Sequence, residues 1–200
     1  MKAKLLCLLV IFPLFIHAQL FQKSVTTANG KIGFYEFLPS GYQEDSTASY
    51  PLLIFLHGVG ERGNGTTELP NALLSSFSKL LVQGATMKFL VNGKQHAFLV
   101  LLPQMTKDYF TWPDFYTDAM IEYGKKHLKI DTNRIFLSGW SVGGGAAWKY
   151  PTRTLRNASL LAGIIPVCPA PEDLHLCNLA RGGVAVWAQH AENDGAVPVH

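Results

Sequence analysis

Apolar residues along the chain gather in runs of strand length, separated by helix-length stretches of mixed polarity. Runs at Ile32–Leu38, Leu52–His57, Ala97–Leu102, Ile135–Ser138, Gly163–Val167 and Val184–Gln189 predict strands. Several are continuously apolar rather than alternating, the pattern of strands covered on both faces. Helices are predicted at Pro70–Val82, Asp114–His127 and Gly143–Tyr150. The second of these opens with Asp114 after Pro113 and closes with Lys125, Lys126 and His127, charges that suit the helix dipole at both ends. Proline inside a helix costs about 3 kcal/mol or more, so Pro151 predicts that the third helix stops near Tyr150. TRTLRNAS then continues as a loop or a fresh turn, and the polar stretch SGYQEDSTASY (40–50) reads as a surface loop. Strand alternating with helix predicts an α/β fold, with a mostly parallel sheet and helices on both faces.

The beginning of the chain does not fit that rhythm. MKAKLLCLLVIFPLFIHAQ has Lys2 and Lys4, then an apolar run from Leu5 to Ile16, then Ala18 as a small residue for cleavage. The run is shorter than the ~20 residues that span a bilayer. Residues 1–19 therefore read as a secretory signal peptide, cut after Ala18 or Gln19, with an uncleaved anchor as the alternative. Residues 20–200 then form one domain, and the expected location is secreted or periplasmic, with no stable membrane span after cleavage. In oxidising surroundings Cys168 and Cys177 either close a short disulfide loop or remain two separate thiols. His175 lies between them, but three possible ligands without a fourth make a weak zinc site, and no cofactor is expected.

Composition adds little beyond exclusion. An apolar fraction of 48% with 16% charged residues belongs to a folded chain. Lys2 and Lys4 lie in the leader, and the rest of the chain is close to charge balance without a basic stripe, so no nucleic-acid partner is expected.

The chemistry sits in two glycine-rich turns. In RIFLSGWSVGGGAAWKY (134–150), a strand leads through Gly139-Trp140-Ser141-Val142-Gly143 into a helix, the context that gives G-x-S-x-G its meaning. A serine on so sharp a turn projects its hydroxyl above the sheet, and the helix behind it points backbone amides at developing negative charge. Ser141 is the candidate nucleophile. The other turn is LLIFLHGVGERG (52–63). Gly58-x-Gly60-x-x-Gly63 imitates a dinucleotide fingerprint, but NGTTELP follows instead of an amphipathic helix, and no acid near position 83 awaits a ribose. A His-Gly turn after an early strand instead supplies an oxyanion donor. The candidates are the amides of Val59 or Gly60 together with Val142, and His57 reads as a residue shaping the turn rather than as a base. Glu61 and Arg62 either pair to fix the loop or stay solvated.

LIFLHGVGERG, RIFLSGWSVGGG and HAENDGAVPV, in this order, resemble the secreted serine esterases of the α/β-hydrolase superfamily. The nearest groups are polyhydroxybutyrate depolymerase-like and feruloyl or acetylxylan esterase-like enzymes, with relatives called predicted peptidases. The resemblance runs from about Gly33 to His200. It implies an acid within HGxxDxxVP, here HAENDGAVP with Ala191 for the usual glycine, and so assigns Asp194, with Glu192 as the rival carboxylate. The triad order in this fold is Ser, Asp, His. His200 follows Asp194 too soon to be that histidine, so the chain is expected to lack its base and its last elements. The implied activity is cleavage of carboxylic esters, small or linked to polysaccharide, through an acyl-enzyme on Ser141. A peptidase of the same fold, or a non-catalytic binding module, is the alternative.

Overall fold

A computed structural model describes residues 19–44, 46–74, 76–170 and 175–198. Residues 1–18 of the expected 1–19 leader, and His200, lie outside them. In chain order the elements are β1 (Gln19–Thr27), β2 (Gly30–Leu38), β3 (Tyr50–Leu56), α1 (Ser76–Val82), β4 (Lys88–Val91) and β5 (Lys94–Ala97). Then come β6 (Leu99–Pro103), α2 (Asp114–His127), β7 (Ile130–Trp140), α3 (Val142–Arg153), α4 (Leu155–Ser159), β8 (Gly163–Val167), α5 (Cys177–Gly182) and β9 (Ala185–Val186). Two 3-10 turns, Val59–Glu61 and Leu69–Leu73, lie between β3 and α1.

Seven strands form one sheet in the order β1-β2-β6-β3-β7-β8-β9, and β4 and β5 form a separate hairpin. The strands from β6 to β9 run parallel, while β1 and β2 add antiparallel at one side. Successive side chains of a strand point to opposite faces, so each central strand feeds two cores. On one face Ile54, Leu56, Leu99, Leu101 and Leu137 pack with Tyr116 and Met120 of α2 and with Ala147 and Tyr150 of α3. On the other, Leu53, Phe55, Val100 and Leu102 pack with Leu81 of α1 and with Met87. This is the mostly parallel α/β sheet, with helices on both faces, that the sequence predicts.

Some boundaries differ. The helix expected over Pro70–Val82 divides into the 3-10 turn at Leu69–Leu73 and α1. α3 passes through Pro151 to Arg153, correcting the expected stop at Tyr150. The proline removes one N–H, but only two helical residues follow it, and burial of Tyr150, Pro151 and Thr152 favours continuing the turn. The outermost strand β9 is short and exposed, with a parallel bridge from Val167 to Gln189 prolonging its line. β1 starts at Gln19 and was not predicted; its pairing with β2 runs without a break from Gln19↔Leu38 to Thr27↔Gly30. No helix among the described residues is long and apolar enough to cross a membrane.

Candidate active site

β7 ends at Trp140 and α3 begins at Val142, which leaves Ser141 alone to turn the chain. Ser141 has φ 56° and ψ −123°, a conformation that L-residues seldom occupy and that is held only where surroundings over-determine it. Three backbone bonds supply that constraint. Ser141 N donates to Val167 O of β8 (3.0 Å), and Gly145 N (2.9 Å) and Ala170 N (3.0 Å) donate to Ser141 O. The hydroxyl is not spent in capping α3, and the helix opens directly behind it. The two motif glycines are required by packing. A Cβ on Gly143 would strike the carbonyl oxygen of Leu56 at the end of β3, and one on Gly139 would strike both that oxygen and the backbone of Gly143. The sharp bend thus sits directly against the end of the neighbouring strand.

That contact places the turn after β3 beside Ser141. Val59 and Gly60 are exposed at its apex, within the 3-10 turn, while His57 and Gly58 are buried. A Cβ on Gly58 would lie 3.1 Å from the Trp140 ring, so the 58–60 turn and the serine turn face each other across one glycine. Val142, the second amide candidate, opens the first turn of α3, where backbone N–H groups lack intrahelical partners.

His57 holds this turn in place. Its Nε2 accepts from Met105 N (3.1 Å), which leaves Nδ1 to donate to Gly58 O (2.6 Å), while His57 O accepts from Trp112 Nε1 (3.0 Å). Burial lowers its pKa from 6.5 to about 4, so the ring is neutral near pH 7. With both nitrogens occupied and no charge, His57 is a support for the turn. Trp112 and Phe115 pack against Tyr116, and Trp112 also packs on His57.

Gln104 is a support that the sequence reading missed. It follows β6, is 1% exposed, and donates from Nε2 to Glu61 O (3.0 Å) and Glu68 O (2.7 Å) while accepting from Gly65 N (2.9 Å). The adjacent Met105 O accepts from Gly63 N (3.0 Å). Residues 104 and 105 thereby clasp the loop from 57 to 68 along its length. A polar residue directly after the apolar run LVLLP was the available signal. Glu61 and Arg62 form no pair. Glu61 turns inward, where burial raises its pKa, and its Oε2 and the Trp140 ring both lie beside Gly58. Arg62 reaches the carbonyls of Val59 and Tyr109.

Asp194 belongs to the loop after β9, on the same side of the sheet. Ser141 N meets Val167 O, and the next residue's amide, Cys168 N, donates to Gln189 O (2.7 Å), so the two turns border β8 from either side. Asp194 Oδ1 accepts from Val197 N and Ala196 N (2.9 Å each), and these amides lower its pKa. Its Oδ2 lies 3.8 Å from His190 Nε2, which is itself 2.7 Å from Val197 O. Among the described residues no histidine hydrogen-bonds to the Ser141 hydroxyl. Glu192, the rival carboxylate, is exposed. Cys168 and Cys177 are free thiols.

No family model matches the chain, and no curated protein matches it. Solved structures do. A thermostable esterase superposes with a TM-score of 0.61 at 24% identity, over 90% of this chain and 48% of its own length. A feruloyl esterase module from Clostridium thermocellum, complexed with sinapinate, superposes with a TM-score of 0.59 at 16% identity, over 90% of this chain and 69% of that one. A fluorophosphonate-binding serine hydrolase from Staphylococcus aureus gives 0.55 at 14% identity, over 82% and 60%. The chain thus spans about half the length of the thermostable esterase. Its architecture is the α/β-hydrolase fold.

Proposed function

We propose that the chain carries the nucleophile side of an ester-hydrolase site. Ser141 attacks a carboxylic ester, the amide of Val142 and that of Val59 or Gly60 hold the tetrahedral oxyanion, and an acyl-enzyme forms and is hydrolysed. Asp194 orients the imidazole that takes the serine proton, a group that the described residues do not bring to Ser141. The carrying observation is the Ser141 backbone, forced to φ 56° between strand and helix with its hydroxyl not spent in capping α3. The names of the structural neighbours, esterases and a serine hydrolase, support the same chemistry. A polysaccharide-linked acyl group is the substrate we favour, and the apolar leader supports export as the setting.

The test is labelling by a fluorophosphonate probe together with turnover of p-nitrophenyl acetate. Expected are labelling at Ser141 and, in Ser141→Ala, loss of both signals. Unchanged turnover in Ser141→Ala excludes the reading. Among the described residues no histidine partners the Ser141 hydroxyl, which favours one alternative, a non-catalytic module, and absence of any labelling in a folded chain decides for it.

A further inference from the structure

Among the described residues of the turn after β3, Arg62 carries a cation held by fixed contacts. It is half-buried, and three contacts hold it. Nε donates to Val59 O (2.8 Å), Nη1 donates to Tyr109 O (2.9 Å), and the guanidinium lies over the Phe110 ring, 5.0 Å from its centroid. Among the described residues it pairs with no carboxylate. Glu61, its neighbour in the chain, is turned inward beside Gly58. A guanidinium carries five N–H donors, and the two bonds to carbonyls leave the others uncommitted. The anchoring carbonyl belongs to Val59, whose own amide is a candidate oxyanion donor, so the charge is held on the same short turn as that donor.

We propose that Arg62 determines substrate choice by receiving a carboxylate on the ester substrate while the ester carbonyl lies at Ser141. The inference rests on the ester-hydrolase reading. A neutral hydroxyl needs no such fixed cation, whereas a carboxylate matches the planar edge of a guanidinium in two parallel bonds. Holding the side chain against Val59, Tyr109 and Phe110 removes most of the rotamer entropy that an exposed arginine loses on binding. The stacked ring covers one face, and among the described residues Nη2 and the second hydrogen of Nη1 have no partner, which leaves them for the ligand.

The experiment compares kcat/KM for two matched pairs. The p-nitrophenyl monoester of succinic acid against p-nitrophenyl butyrate places the charge on the acyl side. 4-Acetoxybenzoate against phenyl acetate places it on the alcohol side. In one pair the charged-to-neutral ratio is expected to fall about tenfold in Arg62→Gln, and less in Arg62→Lys. In the wild-type chain that ratio is also expected to drop between about 0.05 and 0.5 M salt, because an exposed pair is screened. Ratios unchanged by Arg62→Gln overturn the proposal, even if all rates fall together, because Arg62 is then only an anchor for the loop. Should Arg62→Gln not fold, Arg62→Lys and the salt series decide, and flat ratios in both overturn it. If the wild-type chain turns over no ester, the hydrolase reading fails first. Calorimetric titration with monomethyl succinate then judges Arg62: weaker binding to Arg62→Gln supports the proposal, and equal or absent binding in both overturns it.

Discussion

At the scale of single residues, the site is built from side chains whose hydrogen bonds leave no choice of state. His57 is the sharpest case, because both ring nitrogens face fixed backbone partners inside the fold. Its folded pKa of about 4 lies below the ordinary 6.5, so the unfolded chain binds the extra proton more readily. Stability from this residue is complete above pH 6.5 and is lost as pH falls through that window toward 4. At ~1.4 kcal/mol for each pH unit of displacement, the loss is roughly 3 kcal/mol. Urea midpoints measured from neutral pH down to the lower limit should show this slope in the wild-type chain. His57→Gln keeps a donor and an acceptor but cannot titrate, and should flatten it. An equal slope in both chains removes His57 as the cause. Asp194 acts in a lower window, since its depressed pKa adds stability that is lost only below the ordinary carboxylate range.

At the scale of elements, chain punctuation explains both the successes and the errors of reading the sequence. The strand, sharp turn and helix around Ser141 were legible because the signal is local: an apolar run, a glycine pattern and a helix opening within seventeen residues, 134–150. The β4–β5 hairpin was missed although Asn92-Gly93, both at positive φ, form the two-residue turn that such hairpins prefer. The error at Pro151 came from weighing a local cost without the burial that offsets it. α4 starts afresh just beyond, with Thr154 Oγ1 accepting from Asn157 N (3.1 Å) and donating to Asn157 Oδ1 (2.9 Å). Thr154→Ala should therefore cost about 1 kcal/mol in urea unfolding, with no change in fluorophosphonate labelling. A wild-type midpoint in this variant would show that the cap contributes nothing.

At the scale of the whole molecule, the proposed oxyanion turn is held from the centre of the sheet. β6 lies between β2 and β3, so the residues after it emerge beneath the loop that leaves β3. Gln104 then satisfies the backbone of Glu61, Gly65 and Glu68 at once, and Gln104 N donates to Gly33 O (2.9 Å) of β2. Gln104→Met keeps much of the bulk and leaves two buried backbone groups and one part-buried one without partners, the buried ones each worth about 1–3 kcal/mol. Expected are a destabilised but folded chain and, on p-nitrophenyl acetate, a kcat reduced about tenfold with KM little changed, because displaced amides affect the transition state more than binding. Wild-type kcat in a destabilised variant would separate the clasp from catalysis.

The alternation of strand and helix, the two-faced burial of the central strands and the position of Ser141 between β7 and α3 are encoded locally along the chain. Each depends on the period of apolar residues or on conformations that only nearby glycines permit. Tertiary structure decided what His57, Gln104 and Arg62 do. Their partners lie up to 48 residues away, at Met105 for His57, 43 residues away at Glu61 for Gln104, and 47 residues away at Tyr109 for Arg62. Which segments meet there follows from strand order, and no local pattern of polarity encodes the order in which strands lie side by side.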